Sequence, residues 1–414
     1  MSGPIVVVGA GQAGFQAAVS LRETGFAGPL TIVGDEPGLP YQRPPLSKAY
    51  LLASPDDPDT VTLRPQAFFE RHTLKVVHDP AVAIDRPRSR VRLRSGRAIP
   101  YAHLVLAVGA RARKLPVPGS DLDRVLTLRT RAEADVLRGL LREGIRVVVI
   151  GGGFIGMEVA AAARKAGAHA IVIETLDRVM ARVVSPETSA HVEAVHADQG
   201  TAIVLGRSVT ALHGVAGTVS EVELDDGRRI PADVVVVGIG VVPNTELAQC
   251  AGLEVGDGIV VDEQLLTADP RISAIGDCAS YPSKHAGSRA RLESVQNAVD
   301  HAHHVATRLT GAPSQAYAQV PWFWTHQFGM RIQTAGIGRA DDLRVLHGDP
   351  TEGKFSVCRY QGDRLVAVES VNRTGDHIGA RKVLAGAQHP TPHQVTQPGF
   401  TFKAFAAQTA TAAR

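Results

Sequence analysis

The sequence of 414 residues predicts an α/β fold with two parallel-sheet units, followed by a smaller α+β domain. Three observations predict it. Glycine-rich loops at residues 9–14 and 151–156 each follow an apolar strand pattern and precede a helical one. Strand character that suits the first unit returns at residues 272–275, so the second unit interrupts the first. After residue 320, short alternating strands replace the βα alternation, which indicates a separate domain.

Composition is typical of a globular protein with more than one domain. Apolar residues make up 44% and charged residues 21%, and the 41 glycines suit many tight turns. Lys and Arg exceed Asp and Glu by three (44 − 41), which does not indicate a nucleic-acid partner. Apolar runs have only strand length and the first strand starts within about four residues, so neither a membrane span nor a signal peptide is predicted. Three well-separated cysteines complete the prediction of a reduced, cytoplasmic protein.

The first loop reads Gly9-Ala-Gly11-Gln-Ala-Gly14, and an acid, Asp35, follows the next strand 26 residues beyond Gly9. In such loops the first glycine permits a tight turn, the second lets the backbone approach a pyrophosphate, and the third lets the helix pack on the strand. The helix N-terminus then presents N–H groups and a partial positive charge to the phosphates. A dinucleotide is therefore predicted here.

The second loop repeats this arrangement with Gly151, Gly153 and Gly156, and its acid, Glu174, lies 23 residues beyond Gly151. Duplication in the same context favours two bound dinucleotides over two accidental turns. A nicotinamide domain inserted into a flavin domain explains the order of the strands. The sequence thus predicts an FAD-binding domain at residues 1–112 and 244–318, an NAD-binding domain at 113–243, and an α+β domain at 319–414.

Glu174 favours NADH over NADPH, because a carboxylate accepts hydrogen bonds from a ribose 2′-hydroxyl and repels a 2′-phosphate. Arg178 and Arg182 lie close enough in the sequence to weaken this preference. NADPH is therefore the less favoured nicotinamide cofactor.

Several motifs occur in a fixed order along the chain. They are the segment Pro44-Pro-Leu-Ser-Lys48, the second loop through Glu158, Gly276-Asp-Cys278, Glu293-Ser-Val295 with Asn297-Ala298, and Pro321-Trp-Phe-Trp324. Together they resemble the single-component ferredoxin reductases of bacterial oxygenase systems, over nearly the whole chain. The resemblance implies a glutathione-reductase-like fold and an FAD that accepts hydride from NADH. It also implies single-electron transfer to a [2Fe–2S] ferredoxin.

The resemblance places Lys48 and Glu158 near the flavin, where an ammonium near N5 would stabilise reduced flavin and a carboxylate would hold that ammonium. Asp277 would bind the ribityl chain, and Val295 would begin a helix whose N-terminus favours the negative charge of reduced flavin. Further FAD contacts implied by the resemblance are Ala13, Val82, Arg129 (against the pyrophosphate) and Trp324, which would lie near the electron exit.

The sequence contains no paired cysteines, because Cys250, Cys278 and Cys358 form no CxxC or CxxxxC motif. Thiol chemistry through the flavin is therefore not predicted. His301, His303 and His304 share a predicted helix without acidic or cysteine neighbours, which favours a packed or solvated set over a metal site. No metal site is predicted.

Three positions depart from the family pattern: Val108 replaces a common threonine, and Thr325-His326 replaces a Ser-Asp pair. His326 changes the charge near the expected flavin pocket, a change that would alter the flavin potential or the acceptor. An acidic ferredoxin would dock on local cations. The candidate cations are Arg64, Lys284, Arg289, Arg291, Arg381 and Lys382.

The sequence leaves three functions open. The first is an NADH:ferredoxin reductase for a bacterial oxygenase, a cytochrome P450 in particular, acting as a monomer or weak dimer. The second is an NADH oxidase or small-molecule flavoenzyme of the same fold, which His326 motivates. The third is a non-enzymatic flavin-bearing protein whose redox state switches its partners.

Overall fold

The computed structural model describes residues 3–54 and 61–412, with side chains up to residue 409. The described residues form two compact units. Unit 1 comprises residues 3–42, 61–111 and 242–321, and unit 2 comprises residues 43–54, 112–241 and 322–412. Unit 2 thus contains the predicted NAD-binding and C-terminal domains together with the Pro-rich segment. The division into three domains stays a prediction.

Residues 3–54 and 61–112 form a βαβ unit followed by short strands and helices. The elements are β1 (Ile5–Val8), α1 (Gln12–Glu23), β2 (Leu30–Gly34), a 3₁₀ helix (Pro44–Ser47), α2 (Ala49–Leu52), α3 (Gln66–Arg71), β3 (Lys75–His78), β4 (Ala81–Asp85), β5 (Arg90–Leu93), β6 (Ala98–Pro100), β7 (His103–Leu106) and β8 (Ala110–Ala112). Strand β1 pairs in parallel with β2 and β7, and its apolar residues are buried on both faces, as a central parallel strand requires.

The next part of the chain, which lies in unit 2 up to residue 241, repeats the βαβ arrangement and adds a small antiparallel sheet. The elements are β9 (Val125–Thr127), α4 (Arg131–Leu140), β10 (Arg146–Ile150), α5 (Phe154–Lys165), β11 (His169–Glu174), α6 (Pro186–Asp198), β12 (Ala202–Leu205), β13 (Val209–Val215), β14 (Thr218–Leu224), β15 (Arg229–Pro231), β16 (Val234–Val237) and β17 (Val241–Pro243). The parallel sheet has the order β12-β11-β10-β16-β9, and β13–β15 form the antiparallel sheet. A capping box of Thr130 and Glu133 starts α4.

The chain then returns to unit 1. The elements are α7 (Glu246–Cys250), β18 (Val255–Gly256), β19 (Gly258–Val260), β20 (Ile272–Ala274), a 3₁₀ helix (Gly276–Cys278), β21 (Ala279–Ser283), β22 (Ser288–Ala290) and α8 (Val295–Leu309). Strand β20 pairs in parallel with β7, which completes the sheet β20-β7-β1-β2-β3. The predicted return of the chain to the first sheet is therefore confirmed. Helix α8 packs along α1.

The last part of the chain is an antiparallel sheet with helices, in unit 2. The elements are β23 (Trp322–Gln327), β24 (Met330–Gly336), β25 (Leu343–Asp349), β26 (Lys354–Gln361), β27 (Arg364–Val371), α9 (Thr374–Ala385), α10 (Pro392–Val395) and α11 (Phe402–Ala412). The strand order is β23-β24-β27-β26-β25, and α9 packs on β24 and β27. The predicted α/β fold with two Rossmann-like units and an α+β domain is confirmed. Within residues 3–54 and 61–412, no helix is long and apolar enough to cross a membrane.

Candidate cofactor sites and a buried glutamate

The first glycine loop is closed at its two ends and open in the middle. Gly9 has a φ of +114°, and a Cβ there would lie 2.1 Å from the carbonyl oxygen of Ala107. A Cβ on Gly14 would lie 1.9 Å from the carbonyl oxygen of Gly9, so neither position admits a side chain. A Cβ on Gly11 would meet no atom within 4 Å. The loop therefore leaves space at the glycine that is predicted to face the pyrophosphate.

The second loop has the same construction in unit 2. Gly151 has a φ of +105°, and its Cβ would lie 2.5 Å from the carbonyl oxygen of Gly238. A Cβ on Gly156 would lie 2.0 Å from the carbonyl oxygen of Gly151, whereas one on Gly153 would meet nothing within 4 Å. Both loops thus leave room for a pyrophosphate to bind the protein backbone at the middle glycine.

The helices that follow the loops start without a side-chain cap. In the described chain no side chain accepts a hydrogen bond at the start of α1 or α5, whereas Thr130, Ser185 and Ser294 cap α4, α6 and α8. The first N–H groups of a helix need acceptors, and a phosphate supplies them with a charge that suits the helix dipole. The residues present therefore fit a dinucleotide at each loop.

The acid after β2 has a neighbour that sequence reasoning missed. Asp35 is exposed at the strand end, and the adjacent Glu36 accepts a hydrogen bond from the hydroxyl of Tyr41. Asp35 stays the predicted acid for a ribose, and Glu36 lies beside it as a second candidate whose carboxylate Tyr41 orients. The adjacent Asp-Glu pair in the sequence was the signal for this second acid.

The other unit 1 candidates cluster around the 3₁₀ helix Gly276–Cys278. Gly276 has a φ of +71°, and a Cβ there would lie 2.9 Å from the Cβ of Ala13. Asp277 is half-buried beside it, and helix α8, which begins at Val295, packs on this turn. Val82 lies on β4 with 50% of its surface exposed. The structure thus brings Ala13 together with the turn that carries Asp277.

The three histidines of α8 have different surroundings. His301 is fully buried, its Nδ1 accepts a hydrogen bond from the Gly276 N–H at 3.2 Å, and burial lowers its pKa to about 3. Burial also lowers the pKa of His304, while His303 is exposed and contacts Gln16. Among the described residues, no group of three or more His, Cys, Asp or Glu side chains is arranged to hold a metal ion.

Glu174, at the end of β11, is held in place by the backbone. Its Oε2 accepts a hydrogen bond from the Gly152 N–H at 2.7 Å, and its Oε1 accepts one from the Leu176 N–H at 2.9 Å. Oε1 also accepts a hydrogen bond from the Thr175 hydroxyl at 3.1 Å, whereas Oε2 keeps a second lone pair. The carboxylate is therefore oriented beside the second loop with capacity to accept further hydrogen bonds.

Arg178 is engaged within its own loop. It donates to the carbonyl oxygens of Val184 and Ala181, at 2.8 and 2.9 Å, and to the Ser189 hydroxyl at 2.7 Å. These contacts direct its guanidinium into the protein. Arg182 is exposed.

A buried ion pair joins Lys48 to Glu158 on α5. The Lys48 Nζ lies 2.7 Å from Glu158 Oε2, and the exposed fractions of the two side chains are 21% and 3%. Hydroxyl groups of Ser47 and Thr325 also donate to the carboxylate, each at 2.5 Å. A buried carboxylate requires such partners because removing a charge from water is costly. Sequence reasoning named the pair but missed both hydroxyls, which lie 111 and 167 residues away from Glu158.

Trp324 and Arg129 also lie in unit 2. Trp324 is half-buried and its ring centroid lies 5.3 Å from that of Trp322. The backbone N–H of Arg129 donates to Glu133 at 2.8 Å, and its carbonyl accepts from Arg43 at 2.6 Å. The FAD candidates are thus distributed over both units, with Lys48, Arg129 and Trp324 in unit 2.

Comparison with known proteins identifies the family. The model for pyridine nucleotide-disulphide oxidoreductases matches residues 3–302, and the model for a reductase C-terminal domain matches residues 322–406. The chain belongs to the pyridine nucleotide-disulphide oxidoreductase family. The resemblance to ferredoxin reductases is confirmed, and the protein is an enzyme, a flavoprotein oxidoreductase of the ferredoxin–NAD(P)⁺ reductase type. Its family binds FAD and a pyridine nucleotide.

Individual relatives match over almost their full length. Rhodocoxin reductase of Rhodococcus erythropolis is 50% identical over 400 residues, which cover 96% of this chain and 93% of the relative. The crystal structure of the ferredoxin reductase for the CYP199A2 system from Rhodopseudomonas palustris is 46% identical with a TM-score of 0.94, covering 97% of this chain and 99% of that one. Putidaredoxin reductase in its covalent complex with putidaredoxin is 36% identical with a TM-score of 0.94, covering 99% of both chains.

The reductase has no reactive thiol beside its Asp277 turn. Cys278 is fully buried, its Sγ lies 3.3 Å from the carbonyl oxygen of Ile275, and burial raises its pKa to about 11. A thiol in this state is a poor nucleophile because the thiolate is the reactive form. Cys278 is a free cysteine and forms no disulphide.

Two of the candidate docking cations are engaged within unit 1. Arg291 pairs with Asp257 at 2.8 Å and with Glu293 at 2.6 Å, and 10% of its side chain is exposed. Arg289 donates to two backbone carbonyls at 2.7 and 2.6 Å. These two residues are therefore less suited to docking than the exposed Lys284.

Proposed function

We propose that this reductase passes electrons from NADH through FAD to a [2Fe–2S] ferredoxin that serves a bacterial oxygenase, a cytochrome P450 in particular. The observation that carries the proposal is a pair of intact glycine loops in a chain whose buried Cys278 offers no thiol acceptor. The relatives support the identity of the acceptor, since one serves a CYP199A2 system and another forms a complex with putidaredoxin.

The first loop would hold FAD. Gly11 and the uncapped start of α1 would receive the pyrophosphate, Asp35 would bind a ribose, and Asp277 would bind the ribityl chain. Val295 would present the start of α8 to the flavin ring. Bound FAD would supply the conversion of one hydride into two single-electron transfers.

The second loop would hold NADH rather than NADPH. Gly153 and the start of α5 would receive the pyrophosphate, and the oriented carboxylate of Glu174 would accept the ribose hydroxyls. A 2′-phosphate at the same place would meet a negative charge. Arg178 does not relieve this repulsion, because its guanidinium is engaged with carbonyl groups of its own loop.

Lys48 would present a positive charge to the bound cofactors, and Glu158 would hold that charge in position. Glu158 holds the Lys48 ammonium at 2.7 Å, and Ser47 and Thr325 hold Glu158 in turn. A charge positioned in this way needs little reorganisation when the substrate's charge changes. Lys48 is the more exposed of the pair, so its ammonium is the group that a bound cofactor would meet.

The decisive experiment measures NADH and NADPH consumption by the FAD-loaded reductase, with and without a panel of [2Fe–2S] ferredoxins and a rubredoxin, while oxygen is monitored. We expect consumption of NADH that is stimulated by at least one ferredoxin and little uptake of oxygen without it. Rapid NADH-dependent oxygen uptake without any stimulation by an iron–sulfur protein would refute the proposal in favour of an oxidase.

A matched pair of variants tests the role of Lys48. Lys48→Met should slow flavin reduction by NADH, because the ammonium is lost while the aliphatic stem is kept. Lys75→Met, at an exposed position on β3, should leave the rate unchanged. Equal rates in both variants and the wild type would remove Lys48 from the mechanism.

A further inference from the structure

A buried chain of hydrogen bonds extends from Glu158 into the interior of unit 2. Strand β23 buries Thr325 and Gln327, and the Gln327 Nε2 lies 3.1 Å from the Thr325 hydroxyl that donates to Glu158. The Gln327 Oε1 lies 2.8 Å from His196 Nε2, and His196 Nδ1 lies 3.3 Å from the Thr201 hydroxyl. All five residues are at least 95% buried.

The donors and acceptors in this chain have only one consistent assignment when Glu158 is ionised. A carboxylate only accepts, so Thr325 donates its single hydrogen to Glu158 and accepts from the Gln327 amide. The Gln327 oxygen must then accept from His196 Nε2–H. Burial lowers the pKa of His196, and the neutral ring accepts at Nδ1 from Thr201. Four successive hydrogen bonds therefore all point towards the carboxylate of Glu158.

This arrangement holds a charge and does not conduct protons. Aligned hydrogen bonds in a low-dielectric interior polarise one another, so each donor strengthens the next one along the chain. The Gln327 amide interrupts any proton relay, because an amide N–H is not released at physiological pH. The chain therefore acts on the ionisation and orientation of Glu158 alone.

We propose that Thr325, Gln327 and His196 are positioning residues that keep Glu158 ionised and fixed against Lys48, an inference that rests on the proposed function of the pair at the flavin. The effect of each residue on Glu158 depends on its position in the chain of hydrogen bonds. Loss of the Thr325 hydroxyl removes a direct donor to the carboxylate, whereas loss of Gln327 or His196 only weakens that donor.

The charged groups that face Glu158 come from two further elements. Lys48 approaches after the 3₁₀ helix Pro44–Ser47, and His326 lies on β23 between the two buried residues. Burial lowers the pKa of His326, with further lowering from Arg331 and Lys48 and an opposing effect of Glu158. Because His326 can contribute its own titration, each variant is also measured in a His326→Gln background.

The test follows the protonation of Glu158 directly. Difference infrared spectroscopy of the apoprotein between pH 4 and 9 would record the protonated carboxyl band, assigned by its loss in Glu158→Gln. In Thr325→Val the midpoint pH of that band should rise by about one unit, since one hydrogen bond to the charged form is lost. Gln327→Met should give a smaller rise in the same direction, and His196→Phe the smallest.

The same variants are then loaded with FAD and mixed with NADH. We expect the acid limb of the pH profile of flavin reduction to move with the infrared midpoint, and Thr325→Ser to restore the wild-type profile. The wild type alone tests the proposed function, because failure of NADH to reduce its flavin would refute that function whatever the variants show. Infrared midpoints in the apoprotein do not depend on that result.

Thr188→Val is the matched control. Thr188 is also fully buried and donates to a buried carboxylate, that of Glu369, at 2.8 Å. Loss of the Thr188 hydroxyl should lower the melting temperature as much as Thr325→Val does. It should change neither the infrared midpoint pH nor the pH profile of flavin reduction. The proposal is overturned if Thr325→Val titrates like the wild type or if Thr188→Val shifts the profiles equally. Should Thr325→Val fail to fold, an absent shift in Gln327→Met and His196→Phe overturns it.

Discussion

Replacement of Glu174 by Gln tests the basis of the preference for NADH. Both carboxylate oxygens are oriented by backbone N–H groups, at 2.7 Å from Gly152 and 2.9 Å from Leu176. A glutamine keeps one acceptor oxygen but places an NH₂ group against the other N–H, so one of the two orienting contacts is lost. The side chain also loses its charge, and with it the stronger hydrogen bonds to a ribose.

The magnitude follows from the value of a charge-assisted hydrogen bond. Such a bond contributes about 1.5–3 kcal/mol, and each ~1.4 kcal/mol corresponds to tenfold in affinity. The NADH dissociation constant of Glu174→Gln should therefore rise by about 10- to 100-fold. Affinity for NADPH should fall less or improve, because the charge that repels a 2′-phosphate is gone.

The assay is stopped-flow reduction of the bound flavin at increasing NADH and NADPH concentrations, which separates affinity from the rate of hydride transfer. Glu221→Gln, on the antiparallel sheet β13–β15, is the control for the same chemical change. An NADH affinity within about twofold of the wild type in Glu174→Gln would refute the assignment of Glu174 to the ribose. Equal losses for NADH and NADPH would refute the electrostatic part of the reasoning.

Three further outcomes are expected. Gly14→Ala should destabilise unit 1 by more than about 2 kcal/mol in urea unfolding, because its Cβ would lie 1.9 Å from a carbonyl oxygen, whereas Gly11→Ala should fold normally and lose FAD affinity in equilibrium dialysis. The free energy of unfolding should fall as pH drops from about 6.5 towards 3, because burial lowers the pKa of His103 and of His301 to about 3 in the folded state. At pH 5 each histidine contributes a loss of about 2 kcal/mol. His301→Gln should therefore reduce the pH dependence that urea titration measures. Cys278, whose pKa is raised to about 11, should resist iodoacetamide at pH 8 in the native protein and react after unfolding, as mass spectrometry of the peptides would show.

The glycine loops were predictable from the sequence because their requirement is local. Gly14 must lack a side chain on account of Gly9, five residues earlier, and the strand and helix on either side are contiguous with the loop. The same holds in unit 2 for Gly156 and Gly151. Apolar runs such as β1 specify a buried parallel strand by themselves, since both faces must be covered. Fold class therefore follows from short-range patterns repeated twice.

The surroundings of Glu158 were not predictable in this way. Its partners come from the segment before α2 and from β23, more than 100 residues distant on either side. No periodicity links a threonine in an antiparallel strand to a glutamate in a parallel-sheet helix. Only the resemblance to known reductases placed Lys48 beside Glu158, and it left the roles of Ser47, Thr325 and Gln327 unassigned. Long-range polar contacts need the packed structure.

Two buried glutamates in the described part of unit 2, Glu158 and Glu369, have partners that differ in exposure. Glu369 binds Arg359 at 2.7 Å, and the Arg359 side chain is 8% exposed, with its Nε 3.8 Å from Asp342 Oδ2. Glu158 binds Lys48, whose side chain is 21% exposed. Desolvation offsets much of the attraction within a buried ion pair, so stability alone explains neither pair. Arg359 has the fork geometry that joins two acids, whereas Lys48 is a compact charge with one side open. An ammonium that is held by a buried carboxylate and still partly exposed suits the recognition of a charge that changes during a reaction.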